Sequence, residues 1–402
     1  MHSRPPHVRE LTEHDHTDAW TLGRLAFGSD PQPPPQATTA TPGTTRYGAF
    51  DTTGRLIGKA VDLHHDQWWD GRTVTAADVA GVAVAPEARG RGVARTLLTA
   101  LLRGAHDRGA AVSALYPTVA APYRACGWDI AGTLRTVDLP TALLTRHRPA
   151  PHLTVRPGSP DDLPAVDDLY ERTARHRRGL LTRRGPLFDH HRARATATGT
   201  LPFDGLTLVE HDGHLTGYAG WDRGRGYGPD GTLTVEDLAA TTADAARELV
   251  STLASWHSVA PTLRLTLPPG DPLTAHLPVE KAREHQQDTW MHRPVDVTRA
   301  VTDRGWPAHI RGTATFTLDD PLADWNTGTW QLEITDGTAE LRRTDTDADL
   351  HLTVRGFALL YTGTATARTV AQTGLLHHSP GTDPATLDLL AAGGPAQLGD
   401  YF

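Results

Sequence analysis

The spacing of apolar residues predicts a strand, a tight turn and a helix between residues 78 and 105. Asp78 to Ala85 is a short run rich in Val and Ala, which is typical of a buried strand, and Pro86 ends it. Gly90 and Gly92 then allow the backbone to turn sharply. Beyond them the apolar residues recur every three or four positions, so that one helix face carries Val93, Leu97, Leu98, Leu101, Leu102 and Ala105.

The turn before this helix is suited to bind an anion. A helix begins with unpaired N–H groups and the positive end of the helix dipole, which attract a phosphate or pyrophosphate. Arg89, Arg91 and Arg95 add positive charge there. No Gly-Lys-Ser/Thr follows as in a Walker loop, and no Gly-x-Gly-x-x-Gly opens the helix as in a dinucleotide fingerprint. A turn that needs its glycines only for geometry is the other interpretation.

Apolar patterns on both sides of this unit predict further elements. Residues 30–45 are rich in Pro and Thr, which predicts an exposed, mobile loop. Tyr47–Phe50 and Leu56–Leu63 predict a hairpin across the turn at residues 51–54. After the helix the pattern predicts a strand, a short helix and a final pair of strands, at Ala111–Tyr116, Pro122–Gly127 and Trp128–Leu139.

The same order of elements is repeated less clearly after residue 150. Helical spacing near residues 163–170 is followed by a hairpin, a strand and a helix, at residues 206–221, 233–238 and 243–256. The segment between that last strand and helix is Ala-Ala-Thr-Thr-Ala-Asp, without the arginines and glycines of the first turn. We therefore expect the copy to keep the order of the fold but to lack the anion site.

The pattern changes again near residue 294. Four segments between residues 311 and 355 alternate apolar and polar positions and predict strands. Helical spacing returns at Phe357–Tyr361, Ala367–Gln372 and Pro384–Ala391. A sheet followed by helices is similar to the sterol-carrier-like fold. The aspartates of one predicted turn are expected to be solvated rather than to bind a metal: Asp345, Asp347 and Asp349.

Composition narrows the functional classes. The chain has 402 residues, enough for two to four domains, and its formal net charge of −8 argues against a nucleic-acid-binding protein. Cys126 is the only cysteine, so no intrachain disulfide is expected and a reducing compartment fits. No run approaches the ~20 apolar residues of a membrane helix, and the first six residues lack the apolar region of a signal peptide. We expect a cytoplasmic protein that binds neither nucleic acid nor a membrane.

Adjacent histidines occur three times, at His64-His65, His190-His191 and His377-His378. Neighbouring side chains on a strand point to opposite faces, so such pairs chelate a metal poorly. We expect these histidines to be solvated or to form hydrogen bonds, and we expect no metal site.

The phosphate-binding turn resembles the acyl-CoA pyrophosphate loop of the GNAT acetyltransferases, whose pattern is Arg/Gln-x-x-Gly-x-Gly/Ala. Here the pattern is Arg89-x-x-Gly92-x-Ala94, with a Val-x-Val strand before it and an amphipathic helix after it. The order of elements around it resembles a complete GNAT domain. The resemblance implies acetyl-CoA as the co-substrate.

The whole chain resembles the Eis acetyltransferases of actinobacteria. Further marks are the segment Ala121-Pro-Tyr-Arg-Ala-Cys-Gly-Trp128 and the end at Gly399-Asp-Tyr-Phe402. The resemblance implies an α/β chain with a catalytic GNAT domain at 1–150, a degenerate GNAT domain at 151–293 and a sterol-carrier-like α+β domain at 294–402. It also implies acetylation of amines, including those of aminoglycosides, and a homo-hexamer.

Acetyl transfer from a thioester to an amine needs a deprotonated amine, donors to the carbonyl oxygen and a proton for the departing thiolate. The GNAT resemblance assigns the acid to Tyr123, with Tyr116 as a less favoured substitute, and Cys126 is expected only to pack. The Eis resemblance assigns the base to the terminal carboxylate of Phe402. The residues expected to hold acetyl-CoA are Val82, Ala83, Val84, Arg89, Gly90, Arg91, Gly92, Val93, Ala94, Arg95, Thr118 and Val119.

Two other functions use the same sequence features differently. A protein or peptide lysine acetyltransferase would share the donor site and differ in the shape of the acceptor site. A lipid-binding protein would use the sterol-carrier-like domain and keep the GNAT domains as a scaffold. The intact Arg89–Ala94 loop argues against the lipid-binding alternative.

Overall fold

A computed structural model describes residues 6–34, 37, 39–146, 148, 150–266 and 271–402, with the side chains of residues 194 and 196 outside that description. Part of the loop predicted at 30–45 therefore lies outside the described residues. The first third contains nine helices and strands in the described part: β1 (His7–Glu10), α1 (His16–Phe27), β2 (Thr44–Phe50), β3 (Leu56–Trp69), β4 (Arg72–Val84), α2 (Val93–Asp107), β5 (Val112–Leu115), α3 (Ala120–Arg124) and β6 (Asp129–Pro140).

The middle third repeats this order, as the sequence predicts, with one more strand and one more helix before its hairpin. Its elements are β7 (Leu153–Pro157), α4 (Leu163–Ala174), β8 (Arg178–Leu181), α5 (Pro186–Thr198), β9 (Gly205–His211), β10 (His214–Arg223), β11 (Thr232–Ala240), α6 (Ala243–Ala254), β12 (Thr262–Thr266) and β13 (Arg283–Pro294).

The last third is a separate sheet with helices. Its elements are α7 (Val297–Asp303), β14 (Gly312–Asp319), β15 (Gly328–Thr335), β16 (Thr338–Arg343), β17 (Leu350–Thr353), α8 (Val354–Tyr361), α9 (Ala367–Gln372) and β18 (Leu376–His378). The helix predicted at Pro384–Ala391 is a 3₁₀ helix. The three turn aspartates, Asp345, Asp347 and Asp349, lie exposed between β16 and β17.

One continuous sheet joins the first two thirds. Among the described residues its order is β1-β2-β3-β4-β5-β13-β6-β12-β11-β10-β9-β7, with β8 paired to β3, and the five-stranded C-terminal sheet has the order β16-β15-β14-β17-β18. Strand β13 comes from the second third, yet it lies between two strands of the first. Met291 on β13 pairs with Leu115 of β5 on one side and with Ile130 of β6 on the other.

This insertion corrects the final pair of strands predicted at Trp128–Leu139. That segment is the single strand β6, and its partner on the β5 side is β13. Gly132, which could have marked a turn, instead admits a neighbour, because a Cβ built on it would lie 2.7 Å from Nε1 of Trp290 on β13. The glycine therefore serves a close approach between strands.

The predicted face of α2 forms the centre of the first core. All six apolar residues of that face are buried, at most 3% exposed, and they pack with Ala60 of β3 and Trp128: Val93, Leu97, Leu98, Leu101, Leu102 and Ala105. At ~25 cal/mol per Å² of apolar surface, each buried leucine contributes about 1.5–3 kcal/mol. The core thus fixes where α2 begins and where its N-terminus points.

The C-terminal sheet docks on the large sheet through a shared core and a buried ion pair. Trp69 and Val74 of the large sheet belong to the same apolar cluster as Phe316 and Phe357 of the last third. Arg293 and Asp320 are both fully buried, with their nitrogen and oxygen 2.5 Å apart. Such contacts carry the end of the chain to the first GNAT-like unit. No helix in the described part is long and apolar enough to cross a bilayer.

Candidate active site

The predicted pyrophosphate loop forms an open turn at the start of α2. Gly90 and Gly92 have φ values of 72° and 79°, in the left-handed region that glycine adopts without strain. A Cβ on either residue would meet no atom within 4 Å, so the space beside the loop is open. The first four N–H groups of a helix have no acceptor within the helix. The loop can therefore offer these donors to an anion.

The arginines of the loop are exposed, and two of them are held by backbone carbonyls. Nε of Arg89 donates to the carbonyl oxygen of Val84 at 3.2 Å, and Arg95 donates to that of Ala125 at 2.9 Å. The second contact ties α2 to the end of α3, which carries Tyr123. Among the predicted loop residues Val93 is buried in the core and can offer a ligand only its backbone.

The corresponding turn of the second copy is filled. Thr242 caps α6, and its side chain accepts a hydrogen bond from the backbone N–H of Ala245. Gly92, at the same place before α2, has no side chain to occupy the helix N-terminus. This contrast agrees with the predicted loss of the anion site in the second copy.

Strand β4 extends beyond the end of its parallel neighbour β5. The two strands pair at Ala76 with Val112 and at Val79 with Leu115, where β5 ends. Strand β4 continues to Val84, and its register with β3 shifts next to Gly81. The predicted acetyl-binding residues Val82, Ala83 and Val84 therefore lie beyond the end of β5, where backbone groups of β4 on that side can bind an extended ligand. Thr118 and Val119, also predicted, are exposed in the segment that follows β5.

Tyr123 lies on α3, and its side chain packs against the same apolar cluster as Val82 and Val84. Its ring is half-buried and meets the edge of Trp128, with 6.4 Å between ring centroids. Burial raises the pKa of Tyr123 to about 12, so its phenol is protonated at neutral pH and can donate a proton. Burial also raises the pKa of the Cys126 thiol, which fits the packing role expected for this residue.

The end of the chain lies on the first GNAT-like unit. The Tyr116 hydroxyl, just past β5, donates to the carbonyl oxygen of Asp400 at 2.9 Å, and the Tyr401 ring packs on Tyr116 at 4.6 Å. The ring of Phe402 lies 5.4 Å from that of Tyr116 and 5.5 Å from that of His65 on β3. Phe402 thus packs on the segment that follows β5, and Tyr123 belongs to the same segment.

An arginine from the second copy anchors this tail. The Arg183 guanidinium lies 3.2 Å from an oxygen of Asp400 and 3.6 Å from one of Asp237, and it stacks over the ring of Tyr170. The Tyr218 hydroxyl donates to Asp237 at 2.9 Å. A cavity of about 540 Å³ adjoins the anchor and is lined by residues of the second copy together with Gly399 and Asp400, but by none of the predicted site residues.

The structure also reveals a histidine–aspartate pair that sequence reasoning did not select. Nδ1 of His65 lies 2.9 Å from an oxygen of Asp78, which is fully buried and also accepts from the backbone N–H of Ala114 at 3.0 Å. His65 is directly opposite Ala76, so Asp78 is its diagonal neighbour across β3 and β4. Only that register could have indicated the pair. The expectation that this histidine forms hydrogen bonds agrees with its contacts.

Comparison with known proteins assigns the class. Models of the acetyltransferase (GNAT) domain match residues 7–131 and 179–299, and a model of the sterol carrier protein domain matches residues 297–398. A GCN5-related N-acetyltransferase from Kribbella flavida superposes with a TM-score of 0.83 at 26% identity, covering 99% of each chain. The chain is therefore a GNAT acetyltransferase with two tandem GNAT domains and a sterol-carrier-like domain, and GNAT domains use acetyl-CoA.

Individual relatives narrow the assignment within the GNAT class. It is 28% identical over 309 residues to the N-acetyltransferase Eis of Mycobacterium tuberculosis, covering 73% of this chain and 72% of that protein. An uncharacterized N-acetyltransferase of Streptomyces coelicolor is 28% identical over 312 residues, with the same coverage. Eis1 of Mycobacterium abscessus shares the fold, with a TM-score of 0.75 at 24% identity over 98% of this chain and all of that one. The chain is a homologue of the Eis N-acetyltransferases.

Proposed function

We propose that this enzyme transfers the acetyl group of acetyl-CoA to amines of aminoglycosides and similar polycationic small molecules. The observation that supports the proposal is that the segment after β5 carries Tyr123 and contacts Phe402 through Tyr116, in the same GNAT domain as the open helix N-terminus of α2. Burial, together with the negative charges of Asp400, Asp78 and Asp288, raises the pKa of Tyr116, so negative charge is concentrated near the ring that contacts Phe402.

The proposed transfer is direct. The N-terminus of α2 and the loop arginines bind the pyrophosphate, and the acetyl group lies along Val82–Val84, where a backbone N–H polarises its carbonyl. The carboxylate of Phe402 accepts a proton from the substrate ammonium, and the neutral amine attacks the thioester carbon. As the carbon–sulfur bond breaks, the Tyr123 hydroxyl protonates the thiolate of CoA.

An assay of CoA thiol release tests both substrate and mechanism. Purified protein is offered aminoglycosides, polyamines and lysine peptides at equal amine concentration, and we expect the aminoglycosides to give the highest kcat/KM. A form extended by a few residues after Phe402 carries an amide in place of the carboxylate and should lose activity, whereas an N-terminal extension should not. Preference for lysine peptides would refute the proposed substrate, and full activity of the C-terminally extended form would refute the proposed base.

We further propose a homo-hexamer that works in the cytoplasm, as the resemblance to the Eis acetyltransferases and the single cysteine imply. Light scattering on the purified protein tests the assembly. A mass of six chains of 43.4 kDa supports it, and a stable monomer would contradict it.

A further inference from the structure

The pair formed by His65 and Asp78 has the geometry of an oriented proton acceptor. Asp78 accepts two hydrogen bonds, one from Ala114 and one from Nδ1 of His65. An ionised carboxylate only accepts, so Nδ1 carries the ring proton and Nε2 has the free lone pair. A carboxylate that fixes the tautomer of a histidine in this way prepares the other ring nitrogen to take a proton.

His65 also lies against the terminal residue, which carries the proposed base. Its ring meets the ring of Phe402 at 63° with 5.5 Å between centroids, and its side chain is 16% exposed, so a proton can reach it. Its neighbour His64 differs, because Nε2 of that residue bonds the hydroxyl of Thr45 at 2.9 Å. Only one of the two adjacent histidines faces the end of the chain.

The charges around His65 favour its protonated form. Burial opposes that form, but the hydrogen bond and the charge of Asp78, with the charges of Asp400 and Asp62, raise the pKa of His65 above its usual value. Burial and the nearby charges of Arg108 and His65 instead lower the pKa of His64 to about 4. At neutral pH His65 can therefore exchange protons, whereas His64 stays neutral.

We propose that His65, oriented by Asp78, is the group that holds the proton released when the substrate amine becomes a nucleophile beside Phe402. The inference rests on the proposed function. An α-carboxylate has a pKa of about 3.3–3.7 and retains little proton at neutral pH, whereas an imidazole has a pKa of about 6.5. The Phe402 carboxylate takes the proton from the ammonium and passes it to Nε2 of His65, where it is held.

The protons balance over one turnover. The ammonium nitrogen loses two protons as it becomes an amide nitrogen. The first goes to His65 and then to solvent. The second leaves as the tetrahedral intermediate collapses and replaces, through water, the proton that Tyr123 gives to sulfur. The carbon–nitrogen bond forms, the carbon–sulfur bond breaks, and no oxidant or reductant is needed.

The test compares pH profiles of kcat at saturating aminoglycoside. His65→Phe keeps an aromatic ring against Phe402 but cannot take a proton, and we expect kcat at pH 7 to fall by about 10²-fold. In wild type kcat rises with pH as His65 becomes neutral, and this rise should disappear in His65→Phe and remain in the control His64→Phe. Asp78→Asn gives a second, independent variant, because an amide donor facing Nδ1 forces the proton onto Nε2. It should lose about as much as His65→Phe, and the double variant no more than either.

Chemical rescue separates a proton-relay role from a packing role. In His65→Ala, added imidazole should restore part of kcat if the residue carries a proton, whereas added benzene, which fills the same space, should not. An unchanged pH profile in His65→Phe and His65→Gln, both melting within a few degrees of wild type, would overturn the inference. Failure of the proposed function is distinguishable, because no variant, nor the wild type, would then acetylate an aminoglycoside.

Discussion

A sharp test of the donor loop compares two glycines with the same backbone conformation, one in the loop and one in a turn remote from it. Gly92 has a φ of 79° and open space where a Cβ would lie. Gly213, in the turn between β9 and β10, has a φ of 76° and the same open space. Alanine at either position costs roughly 1–2 kcal/mol of backbone strain. The two substitutions should therefore destabilise the protein about equally.

Only the substitution at Gly92 should weaken the binding of acetyl-CoA. A methyl group on residue 92 fills the space through which a pyrophosphate would approach the N–H groups at the start of α2. A hydrogen bond to a charged group contributes about 1.5–3 kcal/mol, and losing one weakens binding by about 10- to 150-fold. Gly92→Ala should therefore raise the Kd for acetyl-CoA by that factor, whereas Gly213→Ala should leave it unchanged.

Isothermal titration calorimetry at fixed salt measures both Kd values. Thermal melts without ligand measure how much stability each substitution removes. Salt must be fixed because it screens the exposed arginines of the loop. If Gly92→Ala binds acetyl-CoA as tightly as wild type while both variants lose equal stability, the loop is a structural turn only. Two molecules of acetyl-CoA per wild-type chain would instead show that the second copy binds the donor as well.

Three further substitutions should separate catalysis, positioning and stability. Tyr123→Phe should lower kcat by about 10²-fold and leave the acetyl-CoA Kd unchanged; unchanged kcat would move the acid to Tyr116 or to water. Asp400→Asn removes the ion pair of the tail with Arg183, so kcat should fall while donor binding stays the same, and equal loss in both would indicate misfolding. Burial lowers the pKa of His292 to about 3; stability from its neutral form is complete above the unfolded pKa of about 6.5 and is lost as pH falls towards 3. The melting temperature of His292→Phe should therefore fall less than that of wild type between pH 7 and pH 5, and parallel curves would contradict this.

Local sequence determined the parts of the site that a single segment builds. The strand, the two glycines and the apolar face of α2 are encoded within residues 78–105, because helical periodicity and left-handed turn positions depend on nearby residues. The predicted face is buried in full, and both glycines adopt positive φ. The absence of these residues between β11 and α6 led to the prediction that the second copy lacks the anion site, and the structure has a capping Thr242 there.

Tertiary structure decided what crosses between segments. Strand β13 lies between β5 and β6, with Trp290 packed against Gly132, and no local pattern distinguishes such a glycine from a turn. The pairing of His65 with Asp78 depends on the register of β3 and β4. Hydrophobic alternation alone does not show which residue of β3 lies opposite which residue of β4. Contacts of this kind join residues far apart in the chain, so their energies appear only when the whole sheet is assembled.

The end of the chain shows most clearly which features local sequence determines and which the tertiary structure determines. The sequence displays an apolar terminal residue and, through its resemblance to the Eis acetyltransferases, suggests a place for it. Only the folded protein provides the aromatic partners on β3 and past β5, Tyr116 and His65, and the Arg183 anchor from the second copy. That position depends on three segments remote in the chain, because His65, Tyr116 and Arg183 each contact one of the last three residues.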